Sequence, residues 1–600
     1  MKARVSRIQT AIYTVFISFH FSSVLAQVQL PTPAWVPPTA DSGTLESPNA
    51  DRPNPQWSTL LGELLYFYDA QRSGKLGAAN RVPWRNDSLT GDGQQGGVDL
   101  SGGYYDAGDY IKATFPLSWT LTSICWGALE YGAGYQAANQ TAYLDSALRW
   151  GLDWLIKAHP SPNTLYVQVG DDHRDNNYWG GDQNIPTQRP VYQINDTNPG
   201  TDAAASTAAA FSSCSLLYAN RTLVATATIP PAIVNTTYSN TLLTHARQLL
   251  NFAVNATGGM QRYQDGAQLG DAYPSTGYYD DLALAATFLG MSDSSATNLQ
   301  LAKTYWDQGG LSQGDIALDW DSKVAAVPVL MSQVLASSQA LSSTQDAPFW
   351  KSKAEAMLDQ VVAANGPGVL TAGGLLYFEG TSNLASLNPA LNSAMLLVKY
   401  APLATSTSKM NDYLAFAKLQ VDYVLGNNPM QVPYVVGINP NSPQNPHSAP
   451  ASGGTDIANI NSSPPTEAHV IYGAVVGGPD KNDDFWDERK DWVQTEVALD
   501  YNAPMLYLAA WKVATDGNDP YYVRLLSGAR DSHRPPGSSR PCSDPNDFCS
   551  TNNPYEFTQA EQIAVAVVMG LGGVIVLVLA MWYAFECWRH KDTKPVTKPV

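Results

Sequence analysis

Basic residues are scarce in this chain: 35 lysines and arginines stand against 53 aspartates and glutamates in 600 residues, a net charge of −18. That balance excludes nucleic acid as a partner, because phosphate binding needs a basic face. A neutral substrate and an acidic medium suit it better. Cysteine is scarcer still, five in all, too few for disulfides to hold the fold together. Cys542 and Cys549 lie close together in a polar stretch and are placed to pair in a small loop, whereas Cys125 and Cys214 fall within apolar helical runs and read as buried hydrophobes rather than a bridge. No convincing run of alternating polar and apolar residues marks a strand, and neither an internal repeat nor a second folded module is visible. Long apolar runs are confined to the two ends.

Those ends read as an address. Lys2, Arg4 and Arg7 precede the apolar run Ala11 to Leu25, and Val24-Leu25-Ala26 supplies a cleavage site, so residues 1–26 are expected to be a secretory leader. Ile563 to Phe585 is about 23 uncharged residues, long enough to cross a bilayer as a helix. Arg589, Lys591, Lys594 and Lys598 follow it, which puts 586–600 in the cytosol and everything before Gln562 outside. The expectation is a single-pass type I membrane protein, with Cys587 open to palmitoylation at the inner edge. Asn86, Asn139, Asn195, Asn220, Asn235 and Asn255 each begin an N-x-S/T sequon, consistent with an extracellular glycoprotein.

Between the ends, residues 27–55 are rich in Pro, Ser and Thr and read as an extended arm, and 532–562 as a stalk where proteolysis would shed what lies before it. Residues 56–531 form one domain. Apolar residues recur at helical spacing in Trp57–Ala70, Leu117–Tyr131, Ala142–Ala158, Ala203–Tyr218, Leu242–Val254 and Asp280–Leu289. The same holds for Ala302–Gln308, Lys323–Ala336, Trp350–Ala363, Pro389–Tyr400, Met410–Leu425 and Thr495–Ala514. About a dozen helices spaced by Gly, Pro and Asn-rich loops suit an all-α barrel of paired helices whose loops carry the chemistry.

Two stretches hold the chemistry-bearing residues. Gly97 to Lys112 packs Asp99, Asp106 and Asp109 among Gly102, Gly103 and Gly108, and such a loop can turn sharply enough to point two carboxylates at one water. One would act as base and the other would orient the water and tune it; the competing reading is an Asp-rich turn that satisfies its own backbone. Tyr472 to Tyr501 carries Asp480, Asp483, Asp484, Asp487 and Asp491, then Glu496 at the opening of an apolar helix. A carboxyl at such an edge, near other acids, keeps its proton at neutral pH and suits a general acid. The competing reading is that Thr495 or Glu496 caps the helix.

DLSGGYYDAGDYIK, YVVGINPNSPQNPH, YGAVVGGPDKNDDFWDERKDW and TEVALDYNAP, in that order, resemble the signature blocks of glycoside hydrolase family nine, the inverting cellulases. YVQVGDDHRDNNYWG, RPVYQINDTNPGTDAAASTAAA and STGYYDDLALAA add to the resemblance, which spans roughly Trp57 to Ala514. It implies an (α/α)6 barrel with an open cleft at one end, Asp109 as general base, Asp106 as its partner on the water, and Glu496 as the acid protonating the leaving oxygen. Inversion implies a separation of about 6.5–9.5 Å between acid and base, leaving room for the water. It further implies that His447 and Tyr501 contact the sugar and that Thr276, Gly277, Asp280, Asp281 and Asp321 are candidates for a structural calcium, the competing reading being loop caps. Trp179, Trp320, Tyr278, Trp486 and Trp492 are candidates for aromatic faces on sugar rings, the competing reading being core or helix packing. No organic cofactor is implied. The chain departs from the family at His447-Ser448-Ala449, where His-His-Arg is common, at Asn176, Ser206 and Thr381.

The implied activity is a membrane-anchored extracellular endoglucanase, expected to be a monomer, cutting internal β-1,4-glucosidic bonds of cellulose or related β-glucans. With no recognisable cellulose-binding module, amorphous or soluble chains are the expected substrates. Two other readings fit the same residues: a catalytically silent β-glucan-binding surface protein, and a hydrolase of the same fold acting on another glycan.

Overall fold

Helical periodicity becomes twelve helices of twelve residues or more among the described residues: α1 Pro55–Ala70, α2 Thr114–Ala137, α3 Thr141–Ala158, α4 Thr201–Tyr218, α5 Thr236–Asn255 and α6 Tyr279–Asp293, then α7 Ala296–Gln308, α8 Ala326–Ser337, α9 Ala347–Ala363, α10 Leu387–Tyr400, α11 Thr407–Val424 and α12 Leu499–Thr515. The computed structural model describes residues 27–40, 52–270 and 272–533. The leader, nearly all of the stalk, the apolar segment 563–585, the basic tail, Cys587 and the Cys542–Cys549 pair lie outside the described residues. Among those described, no helix is long and apolar enough to cross a membrane.

The even-numbered helices form an inner ring. Neighbours α2, α4, α6, α8 and α10 pack in succession, and α12 packs on both α10 and α2, which closes it. Each odd-numbered helix lies outside, α3 on α2, α5 on α4, α7 on α6, α9 on α8, α11 on α10 and α1 on α12. A helix with neighbours on every side needs no polar face, and α4 has none: all of Thr201–Tyr218 is buried. This is the expected barrel of six helix pairs.

Several helices begin earlier than their apolar pattern, because capping is done by polar side chains that carry no hydrophobic signal. Asn235 accepts from Tyr238 N–H at the start of α5, and Ser295 from Asn298 N–H at the start of α7. Helix α2 runs past the expected end at Tyr131 through a kink there (φ −119°, ψ 31°). Among the described residues, five short strands were not legible in the sequence. β1 Lys112–Ala113, β2 Thr164–Val169 and β3 Val191–Asn195 form an antiparallel sheet in that order, and β4 Gly368–Leu370 pairs with β5 Leu376–Phe378. At two to six residues they are too short for alternation to register.

Cys125 and Cys214 overturn their reading as separate buried hydrophobes: they form a disulfide between α2 and α4. Both side chains are buried, as expected, but the inner ring sets these two helices side by side, a contact that a sequence separation of 89 conceals. Closing so long a loop restricts the unfolded chain, so Cys125→Ala/Cys214→Ala is expected to unfold at lower denaturant, by about 2–4 kcal/mol in equilibrium urea titration. An unchanged midpoint would show that the bond adds nothing.

Toward the C-terminal ends of the inner helices the barrel axis is filled by a buried polar knot. Glu130 accepts from Gln333 Nε2 at 2.9 Å and from Tyr507 OH at 2.9 Å, and pairs with Lys399 Nζ at 3.2 Å. Trp126 Nε1 donates to Gln333 Oε1 at 2.8 Å, and the Lys399 ammonium lies over the Trp126 and Tyr507 rings. Burial lowers Lys399 to about 8, with Glu130 opposing the shift. Four inner helices, α2, α8, α10 and α12, are tied at this one point.

Candidate active site

The opposite end of the barrel gathers the N-termini of the inner helices, and the acidic loop leads straight into one of them, α2. Gly103 (φ +71°) adopts a backbone closed to most residues, and a Cβ there would meet the Trp154 ring at 2.5 Å. Gly108 is needed for a different reason: a Cβ would lie 2.2 Å from the carbonyl oxygen of His447. The loop's far end is fixed by Asp92, which pairs with Lys112 Nζ at 2.7 Å and Arg189 Nε at 2.8 Å, while Arg189 Nη2 donates to the Tyr110 carbonyl.

Asp106 and Asp109 differ in setting. Asp106 is 1 % exposed, its backbone N–H donates to Ile111 O, and its carboxyl accepts from the Tyr273 hydroxyl. Burial pushes that carboxyl well above the usual range, with Tyr273 pulling the other way. Asp109 is only half-buried and faces Asp175. Burial raises Asp109, but the Ile111 N–H, a hydrogen bond from Asp175 and the Arg189 charge hold it down. Asp175 is raised much further, by burial and then by the Asp109 charge. Both carboxyls are thus raised, Asp175 the more, and the two titrate as one pair. Neither Asp175 nor Tyr273 is singled out by sequence reasoning. Asp175 lies inside a recognisable segment, but nothing distinguishes Tyr273.

Glu496 does not open a helix as expected. It is in an extended stretch (φ −64°, ψ 147°) between a single turn, Trp492–Thr495, and α12. There it bridges to His447, its carbonyl accepts from Gly477 N–H at 2.9 Å, and its Oε1 accepts from Gly108 N–H at 3.3 Å. A Leu499 N–H bond of 3.0 Å to the Asp106 carbonyl locks the two acidic segments together. Glu496 is half-buried, and its carboxyl is raised well above the ordinary glutamate by burial and then by the Asp109 charge. Asp500, buried below it and bonded to Asn388 Nδ2, is raised to about 7 by burial.

His447 is neutral, lowered to about 4 by burial; with Nδ1–H donating to the Arg489 carbonyl, Nε2 remains an acceptor. Tyr501 is half-buried, and its phenol is raised by burial and by the nearby Asp500, Glu496 and Asp106. Trp179 differs from expectation. At 3 % exposure it offers sugar no open face; its ring packs 4.8 Å from His447 and against a second apolar cluster with Tyr105, Tyr110 and Ala449. Half-buried Trp320, Tyr278, Trp486 and Trp492 retain accessible ring surface. Ala449, where an arginine is common, is fully buried and donates its N–H to Gly108 O.

Thr276, Gly277, Asp280, Asp281 and Asp321 gather around the N-terminus of α6, yet their oxygens do not fit a calcium cage. Thr276 donates to Asp321 through N–H and Oγ1, Asp280 accepts from Lys323 N–H, and Lys323 Nζ reaches Asp281 at 2.9 Å. An ammonium thus stands among the carboxylates, and among the described residues no three His, Cys, Asp or Glu side chains converge as metal ligands.

Two half-buried carboxyls close enough for the charge of Asp109 to act on Glu496 can between them take a proton from water and give one to a leaving oxygen, the equipment of an acid–base hydrolase. The chain belongs to glycosyl hydrolase family 9, whose model matches residues 57–509. It is 36 % identical over 473 residues to endoglucanase 13 of Arabidopsis thaliana, covering 75 % of this chain and 92 % of that protein. It is 32 % identical over 453 residues to endoglucanase A of Bacillus pumilus, covering 74 % of this chain and spanning only 64 % of that longer protein. The solved endoglucanase of the termite Nasutitermes takasagoensis superposes with a TM-score of 0.67 at 37 % identity, over 76 % of this chain and 98 % of the termite chain.

Proposed function

We propose that the protein is an endoglucanase that hydrolyses internal β-1,4-glucosidic bonds of cellulose or related soluble β-glucans with inversion. The meeting of Asp106, Asp109 and Glu496, tied by the Gly108 N–H bond to Glu496 and the Leu499 N–H bond to Asp106, carries this reading. Asp109 takes a proton from a water held between it and Asp106 as the water oxygen attacks the anomeric carbon. Glu496 gives its proton to the glycosidic oxygen as that bond breaks. Asp175 supports the base by donating to it. Tyr273 fixes the Asp106 carboxyl, whose orientation decides where the water sits. His447 and Tyr501 bind hydroxyls of the sugar beside the cleavage point, His447 by accepting at Nε2. The presence of all three carboxyls and the family's endoglucanases favour turnover over a silent glucan receptor.

We infer further that the barrel works outside the cell, held by segment 563–585 after removal of 1–26. The support is the order of charge around two apolar runs, together with an acidic domain. Carboxymethylcellulose incubated with the protein is expected to yield new reducing ends that are α-anomers at first, visible by proton NMR before mutarotation. Crystalline cellulose should turn over far more slowly. β-Anomers at early times would exclude inversion, and binding without new reducing ends would move the reading to a receptor.

A further inference from the structure

Residues 27–40, read as an extended arm, lie along the barrel. Val28 N–H donates to Asp145 Oδ2 at 2.7 Å, a buried carboxylate that also accepts from Arg149 and from Tyr218 OH. Trp35 N–H donates to Tyr143 OH, and Arg81 Nη1 donates to the Trp35 carbonyl at 3.0 Å. The Trp35 indole lies so close to Gly62 that a Cβ there would meet it at 2.8 Å. Gln27 itself lines a cavity of about 390 Å³ with Lys75, Arg149, Trp150, Asp153, Trp154 and Lys157. Two of its three cations are set against acids of their own. Arg149 is held by Asp145, Lys157 pairs with Asp99 at 3.0 Å, and the cavity's own acid, Asp153, accepts from Tyr238 OH at 2.6 Å.

We propose that the mature chain begins at Gln27 and carries a pyroglutamyl cap seated in this cavity. The inference rests on the reading of residues 1–26 as a leader cut after Ala26. Cleavage would leave a free glutamine whose α-amino group, with a usual pKa of about 7.7–8.0, is partly neutral and nucleophilic near pH 7. Its nitrogen attacks the side-chain Cδ, the new N–Cδ bond closes a five-membered lactam, and the Cδ–Nε2 bond breaks. The attacking nitrogen passes a proton to the departing amide nitrogen, which leaves as ammonia. No co-reactant is needed. An open ammonium would enter a partly enclosed site whose carboxylates, Asp145, Asp99 and Asp153, are already engaged by Arg149, Lys157 and Tyr238, and a poorly compensated charge there is costly. The lactam removes that charge, offers a carbonyl to the same donors and presents a flat ring to Trp150 and Trp154. Val28 N–H is untouched by the reaction and keeps its bond to Asp145.

The test uses the full chain, expressed with its own leader in a eukaryotic secretory host. Mass spectrometry of the N-terminal peptide is expected to show a start at Gln27 and a mass lower by one ammonia, with Edman sequencing blocked until pyroglutamyl aminopeptidase is added. A start elsewhere would overturn the leader reading and the cap with it, whereas a start at Gln27 with an open amine would overturn the cap alone. The seat is tested with Gln27→Ser, which leaves a permanent ammonium. This variant should melt lower than the parent at pH 7, and the gap should close above about pH 9, where the amine is neutral. Equal melting at both pH values would show that the cavity is indifferent to the cap.

Discussion

Glu496→Gln is expected to lower turnover of carboxymethylcellulose by about 10²- to 10⁴-fold with little change in melting temperature, because the amide keeps the shape and loses the proton. Asp109→Asn should lose activity on the same scale. The two losses can be told apart with a dinitrophenyl β-cellobioside, whose leaving group departs without protonation. On that substrate the Glu496→Gln defect should shrink sharply and the Asp109→Asn defect should persist, since water still needs its base. Rescue of both variants, or of neither, would contradict the assigned roles. The pH profile follows from the same carboxyl. Burial and the Asp109 charge keep Glu496 protonated above the range of an exposed glutamate. The alkaline limb of kcat/KM should therefore lie above that range, with activity falling as pH rises through the raised value.

Lys323→Met is the substitution with the largest expected effect on stability. Its ammonium and the Asp281 carboxyl are both fully buried at 2.9 Å, and its backbone N–H also holds Asp280. Removing one partner of a buried pair costs about 3–5 kcal/mol, because the other is left without compensation. The loss should depend on pH in a defined direction. Burial raises Asp280 and Asp281 even with the lysine present, and without it their folded pKa values rise further. Groups raised in the folded state favour folding below their unfolded pKa and lose that contribution as pH rises. The deficit should thus be smallest near pH 4 and grow toward neutrality, as measured by urea denaturation at the two extremes. Lys323→Met/Asp281→Asn should recover part of it; no recovery would place the damage in packing against Phe115, over which the lysine lies.

The helices were legible because burial against a ring of neighbours imposes a 3.6-residue apolar period, and each of the twelve segments from Trp57–Ala70 to Thr495–Ala514 overlaps an observed helix. What failed was set by polar or long-range effects. Asn235 and Ser295 start helices without an apolar signal, and the break before α12 that frees Glu496 lies inside a continuous helical pattern. The Cys125–Cys214 bond needs the ring closure to be known first. In the site, the carboxyls were legible as acids crowded into glycine-rich or apolar settings. Asp175 and Tyr273 were not, since a lone aspartate and a lone tyrosine gain meaning only when the fold brings them to Asp109 and Asp106, Tyr273 from 167 residues away.

The knot of Glu130, Gln333, Lys399 and Tyr507 bears on how a polymer meets this molecule. It corks the barrel at the end away from the acids, so the ring is a cup rather than a tube. On the proposed reading, a glucan strand cannot thread along the axis and exit behind; it is engaged from the mouth alone, the end at which Asp106, Asp109 and Glu496 stand.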